Sequence, residues 1–302
     1  QPMTVNGKRK AFREIIAAPG LTLLPGAYDA LSARMIEDAG FDAVVAGGYA
    51  ALGSSLAAPD QGQSNMRDLA DHYGRICAAV SIPVFVDADT GFGGVHNVTQ
   101  AVRAFEAAGV AGLFLGDQVF PNRCGYLPGK EIIGAEPMLA KVIAALDARE
   151  DPDLFIGART DSFALEGLDE AITRCRMFME AGADMAIPQG VDTLDAIGRA
   201  LKEVPGPHFA NQSHAAGPPK LALKDIEALG VNAVTFPSAL LFAAAGGVTR
   251  ALAALARDRS FERVAEDLVS LERFYGLVGL EPMQARERSF DERAAEIAAK
   301  LR

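Results

Sequence analysis

Two aspartates, Asp87 and Asp89, stand one residue apart in the run Asp-Ala-Asp-Thr-Gly-Phe-Gly-Gly, directly behind the apolar segment Ile82-Pro-Val-Phe-Val. Carboxylates at i and i+2, with glycines behind them, offer hard oxygen ligands and leave room for water and substrate. A magnesium ion keeps several waters and takes only one or two protein carboxylates, so the pair suffices. The competing reading of the same residues is turn or helix capping. Arg159, in Ala158-Arg-Thr-Asp, closes another apolar segment. It can clamp a carboxylate through two parallel hydrogen bonds, or pair structurally with Asp161. The stretch from Gly116 to Glu136 is too long for a plain connection and carries Cys124 between Arg123 and Gly125. It reads either as a lid bearing a thiol that cationic neighbours activate, or as a surface loop with an inert thiol. Cys77 and Cys175 lie inside helical patterns and read as inert.

The elements that must position these residues follow one rhythm. Short apolar runs end in Gly, Asp or Asn, and each is followed by a segment of helical period. The expected strands are Leu21–Pro25, Ala43–Ala46, Pro83–Val86, Gly112–Leu115, Leu154–Ala158, Asp184–Ile187, His208–Ala210 and Ala233–Phe236. The amphipathic segments between them include Ala30–Ala39, Met66–Val80, Val95–Ala108, Pro137–Ala148, Leu168–Ala181, Thr193–Val204 and Leu223–Leu229. Such alternation predicts a parallel sheet, and eight units at this spacing predict a closed (β/α)8 barrel, a TIM barrel. Several helices run into a glycine just before the next strand, as in Glu106-Ala-Ala-Gly-Val, the expected left-handed C-cap. Residues 1–302 read as one domain, with the barrel over about 21–257 and additional C-terminal helices over about 258–302. In such barrels the site lies where the strands end. The polar residues there are Asp29, Gly47-Gly48-Tyr49, Asp87, Asp89, Asp117-Gln118, Arg159-Thr160-Asp161, Gln189, Asn211 and Ser238.

Composition narrows the classes. The formal net charge is −10, which argues against nucleic acid and anionic membranes as main partners while leaving an anionic substrate open to a local cation. No apolar run is expected to span a membrane: Ala239–Ala245 is short and Gly246-Gly247 follow it. Three widely spaced cysteines give no disulfide framework or zinc pattern, so a reducing, cytoplasmic setting is expected. The four histidines show no metal-ligand spacing, and of these His214 alone falls near the expected site.

Taken together the motifs resemble the isocitrate lyase/phosphoenolpyruvate mutase superfamily, and most of all its 2-methylisocitrate lyase branch. The resemblance runs from about Leu24 to Ser238 through Pro25-Gly-Ala-Tyr-Asp-Ala-Leu-Ser-Ala, Pro59-Asp60, Asp87-Ala-Asp-Thr-Gly-Phe-Gly, Asp117-Gln118, Arg123-Cys-Gly, Gly129-Lys130, Ala158-Arg-Thr-Asp and Ala181-Gly-Ala-Asp. It implies Mg2+ (or Mn2+) at Asp87 and Asp89 with Asp60 close by, and α-oxo or α-hydroxy carboxylates that react through an enolate. That enolate would be stabilised by the cation and by backbone donors at Gly47, Gly48 and Tyr49. It further implies a proton-handling role for Cys124, carboxylate binding by Arg159, a substrate-side Asn211, and a homotetramer or dimer that exchanges a C-terminal helix. The chain departs from the family pattern at Gly47, where serine is usual, at Gly116 and Gln189, where glutamate is usual, at Asn122 for lysine and at Tyr126 for histidine. Tyr126 is expected to serve as a weak acid in that histidine's place. The resulting expectation is a metal-dependent carbon–carbon lyase of a small 2-hydroxy di- or tricarboxylate, 2-methylisocitrate or dimethylmalate, releasing an α-oxo acid such as pyruvate. The alternatives are an oxaloacetate-type decarboxylase, a phosphonomutase acting on an enolpyruvate phosphonate, and a non-catalytic binder of small acids.

Overall fold

A computed structural model describes residues 3–125, 127–213 and 220–301. The chain begins with helix α1 (Val5–Ala17). Eight strands follow: β1 (Thr22–Pro25), β2 (Val44–Ala46), β3 (Val84–Asp87), β4 (Gly112–Gly116), β5 (Phe155–Thr160), β6 (Met185–Pro188), β7 (Phe209–Asn211) and β8 (Ala233–Phe236). Between them run α2 (Ala30–Asp38), α3 (Gly48–Leu56), α4 (Met66–Ala79), α5 (Val95–Ala107), α6 (Ala135–Ala148), α7 (Phe163–Glu166), α8 (Leu168–Glu180), α9 (Leu194–Glu203) and α10 (Leu223–Ala228). All eight expected strands form, each within a residue or two of its expected bounds. All ladders are parallel, in the orders β1-β8-β7 and β2-β3-β4-β5-β6, and the bridge Gly26↔Val45 joins the two runs. This is the expected TIM barrel. Val84, Phe85 and Val86 are all buried, because a parallel strand is covered on both faces and so reads as a continuous apolar run. Gly109 and Gly230 end their helices at φ +92° and +88°, the left-handed conformation expected of a helix-terminating glycine.

Helix α1 was not foreseen. Its Phe12 stacks on Phe85 at 5.2 Å and meets Phe155 edge-on at 5.3 Å, so the helix fills the barrel interior with an aromatic side chain. Among its charged side chains, Lys8 and Arg9 reach backbone carbonyls, and Arg9 a carboxylate as well. Lys8 Nζ donates to Cys77 O and Val80 O, and Arg9 donates to Val110 O (3.1 Å), Glu106 O (2.7 Å) and Asp151 Oδ2 (2.8 Å). Both side chains are buried although they read as solvent-facing.

The chain divides into two compact units, 1–243 and 244–302. The second contains most of α11 (Ala239–Asp258), a 3-10 turn (Glu262–Asp267), α12 (Leu271–Val278) and α13 (Leu280–Lys300). Helix α11 continues through Gly246-Gly247, where the apolar run was expected to stop. At 20 residues and a mean hydropathy of 1.7 it is long and apolar enough to cross a membrane by length and composition alone. One helix passing that test is weak ground for a span, since helices of many water-soluble proteins pass it too.

Replacing Arg9 with Ala strands Asp151 and two backbone carbonyls. Loss of one partner from a buried, hydrogen-bonded ion pair costs about 3 kcal/mol. The urea midpoint of Arg9→Ala is expected to fall accordingly; a midpoint equal to wild type would show that α1 is dispensable to the barrel.

Candidate active site

The carboxylates sit where backbone geometry forces them together. Beyond β3 the chain turns sharply, and Asp89 takes φ +50°, a conformation uncommon outside glycine and asparagine. The turn is fastened by several bonds. Asp89 N donates to Asp87 Oδ1 (2.8 Å), Gly116 N to Asp89 O (2.7 Å), the buried Tyr73 hydroxyl to Asp87 O (2.9 Å) and Lys141 Nζ to Thr90 O (3.0 Å). Asp87 therefore caps its own turn, as the capping reading expects, and also lines the cavity.

Ten of the expected site residues line one cavity of about 100 Å3: Gly47, Gly48, Tyr49, Asp60, Asp87, Asp89, Cys124, Arg159, Gln189 and Asn211. Tyr126 and His214 lie outside the described residues. Gly48 sits so close to the carboxylates that a Cβ there would stand 3.2 Å from Asp89 Oδ1. Gly47 is the N-cap of α3, and no side chain caps that end. Backbone N–H groups at the start of a helix favour an anion.

Electrostatics single out the carboxylates. Burial, then the proximity of Asp87 and Asp60, pushes the Asp89 carboxyl up to about 8. Asp60 and Asp87 are also raised, burial being the main cause for each. The opposing charge is Arg159. Burial would lower it, but Asp161 and Asp87 outweigh burial and raise it further, keeping it cationic. Its Nε stands 3.3 Å from Asp161 Oδ2, an Nη stands 3.5 Å from Asp87 Oδ2, and the guanidinium lies over the Phe114 ring at 5.5 Å. The structural pairing with Asp161 is thus real, and it coexists with a place in the cavity wall.

The lid is a folded hairpin. Val119 N donates to Glu131 O and Ile133 N to Asp117 O, each at 2.8 Å, forming an antiparallel stem. Buried Gln118 grips the tip: its Nε2 donates to Arg123 O and its Oε1 accepts from Arg123 N, both at 3.1 Å. Cys124 N donates to Asp60 O at 3.4 Å. Gly62 lets the Asp60 loop lie flat on the lid, since a Cβ there would be 2.3 Å from Asn122 O. Lys130 Nζ ties the far side to Asp161 Oδ1 at 3.0 Å. Cys124 is thereby delivered into the carboxylate cavity, while Cys77 and Cys175 are buried in the helix layer as expected.

Three expectations change. Asp29 is an N-cap of α2, its carboxylate accepting from Ser32 N at 2.7 Å. Asp117 is wholly buried in a structural network with Thr160, the Asp161 N–H and Arg174. Asn122 was noted only as a departure, yet its Nδ2 donates to Asp89 Oδ1 at 3.2 Å and its own Oδ1 is buried without a partner. Its position two residues before Cys124 was the available signal.

The comparisons agree with this geometry. The family model for phosphoenolpyruvate phosphomutase matches residues 12–256. The chain is 37% identical to 2,3-dimethylmalate lyase of Eubacterium barkeri over 92% of its own length and 96% of the relative's. It is 34% identical to 2-methylisocitrate lyase of Aeropyrum pernix, covering 96% and 93%. Among solved structures it is similar to phosphonopyruvate hydrolase in complex with oxalate and Mg2+, with a TM-score of 0.83, 31% identity and coverage of 93% and 98%. The chain thus belongs to the isocitrate lyase/phosphoenolpyruvate mutase superfamily.

Proposed function

We propose that this chain is a divalent-metal-dependent carbon–carbon lyase that cleaves a small 2-hydroxy di- or tricarboxylate, 2,3-dimethylmalate or 2-methylisocitrate, and releases an α-oxo acid. The observation that carries this reading is that the lid brings Cys124 into the cavity already holding Asp60, Asp87, Asp89 and Arg159. Among the described residues, no three His, Cys, Asp or Glu side chains form a metal-holding group by themselves. The donor set fits the lesser demand of Mg2+ or Mn2+: two carboxylates, Asp87 and Asp89, with Asp60 near, and water completing the shell. Their upward shifts mark a site where uncompensated negative charge would be relieved by a cation. Such a cation supplies electrophilic stabilisation of negative charge on oxygen.

The chain's own groups do the rest. Arg159 holds a carboxylate, with Asp161 as a fixed opposite charge 3.3 Å from its Nε. The uncapped start of α3 offers N–H donors where enolate charge builds. Gln189 and Asn211 orient the departing half of the substrate. As the carbon–carbon bond breaks, the 2-hydroxyl gives its proton to a carboxylate of the cavity and becomes the new carbonyl, while the electron pair released on the departing acid takes a proton from the Cys124 thiol. Asn122 puts a neutral amide where family lyases carry lysine, which favours the second reading, an oxaloacetate-type decarboxylase that needs no lid acid. We further propose a cytoplasmic homotetramer, because α12 and α13 bury no residue fully and expose Leu271, Phe290 and Ile297.

With Mg2+, 2,3-dimethylmalate or 2-methylisocitrate is expected to give an oxo acid without CO2; CO2 from oxaloacetate alone would establish the decarboxylase. Cys124→Ser is expected to lose about 100-fold or more in kcat while oxalate binding with Mg2+ persists. Gln118→Ala is expected to lower kcat about 10- to 100-fold by displacing the thiol, with a changed rate of Cys124 alkylation. Unaltered turnover by both variants would remove the thiol from the reaction.

The raised Asp89 carboxyl has a defined pH signature. A carboxyl whose value is raised on folding favours the folded state while protonated, and that contribution is lost as pH climbs from its ordinary 3.8 to about 8. The metal-free protein is therefore expected to lose melting temperature between about pH 4 and 8, and Mg2+ to restore more at the upper end because binding displaces the proton. An Mg2+ increment independent of pH would place the ion elsewhere. Light scattering is expected to give four times the 31.7 kDa chain mass; a monomer would refute the tetramer.

A further inference from the structure

Strand β6 pairs only with β5, and β7 only with β8; among the described residues no ladder joins β6 to β7. The β1/β2 seam, by contrast, is closed, with Ala27 N donating to Val45 O at 2.9 Å in addition to the Gly26 bridge. A second cavity, of about 130 Å3, occupies the open seam. That is roughly ten times the space one ordered water needs. Its walls include consecutive residues of both strands, Ile187 with Pro188 and Phe209 with Ala210. Successive residues in a strand face opposite sides of the sheet. A cavity touched by both therefore passes through the thickness of the barrel wall.

The seam adjoins the catalytic cavity directly, since Ile187, Gln189, Phe209, Ala210 and Asn211 line both. Its outer end is closed by Ile197 and Ala200 of α9 and by Val231, all buried and apolar. Asp192 is the one carboxylate in its lining, and no lysine or arginine lines it among the described residues. His208, also in the lining, is buried and engaged through Nε2 with Val204 O at 2.9 Å, and burial lowers its basicity. Among the described residues of the lining the only charged side chain an anionic arm would meet is Asp192, itself paired with the exposed Lys220 at 3.0 Å. An alkyl arm would find a dry apolar end.

We propose that the β6/β7 seam is a subsite for an uncharged alkyl arm on the substrate, passing between Gln189 and Asn211 and ending against Ile197, Ala200 and Val231. The proposal rests on the reading of Asp87, Asp89 and Arg159 as the acid-binding centre. It extends that reading to acids whose apolar branch is longer than a methyl group.

The test is calorimetric titration of the whole protein, with Mg2+ present, by oxalate, pyruvate, 2-oxobutanoate, 2-oxopentanoate and 2-oxohexanoate. Each added methylene is expected to tighten binding about fourfold, the equivalent of ~0.8 kcal/mol per buried CH2, until the seam is full. Ala200→Leu narrows the outer end and is expected to flatten the series while leaving pyruvate within about twofold of wild type. Ile197→Ala enlarges that end and is expected to move the optimum to a longer chain. The wild-type series and Ile197→Ala decide the matter even if Ala200→Leu does not fold. A flat wild-type series, increments unmoved by either variant, or an equal gain for 2-oxoglutarate would overturn the subsite. Failure of oxalate and pyruvate themselves to bind would overturn the acid-binding centre, and the subsite with it.

Discussion

Everything at the top of this barrel is arranged around one guanidinium. Arg159 stands among Asp87, Asp89, Asp117 and Asp161, all in or behind a small buried cavity. Charges taken out of water are tolerated only when paired and hydrogen-bonded. Arg159 pairs with Asp161 behind it and reaches Asp87 in front, so it links the end of β5 to the end of β3. Asp161, held low by Arg159 and Lys130 despite its burial, then serves as the post to which the lid is tied. What the arginine leaves uncompensated is Asp89, whose carboxyl is pushed up to about 8 by burial and by Asp87 and Asp60.

The departures from the family pattern make sense against this balance. At position 116 a side chain would begin 3.4 Å from the Arg159 guanidinium, so glycine leaves the arginine room against β4. Losing a carboxylate there reduces the negative charge that the arginine must offset. At position 47 a Cβ would meet nothing within 4 Å, so the missing hydroxymethyl group leaves open space in the cavity. Asn122 supplies a hydrogen bond to Asp89 but no charge, so it leaves the negative charge gathered there without a counterion. Each change alters what the cavity can hold while preserving the fold that holds it.

The barrel was readable because its strands are buried on both faces and its helices on one. That difference in period is written in local sequence. So was most of the site, because chain order places strand-end residues at one rim. What escaped was set by contacts distant in sequence. Helix α1 was hidden by Lys8 and Arg9, whose charges signal solvent but whose partners are carbonyls 69 to 101 residues away. Helix α3 was hidden by its glycine start, which no side chain caps. Asp29 and Asp117 have the right type and place for a site, and only their partners, Ser32 and Arg174, reveal them as scaffold.

Gln118 holds the lid through the peptide group of Arg123, touching its N–H and its C=O and nothing of its side chain. Every amino acid except proline presents that same pair of atoms. The address of the thiol is therefore written in the main chain, and the letters around it are interchangeable. Residue 123 can therefore change its side chain without losing the main-chain grip that places Cys124.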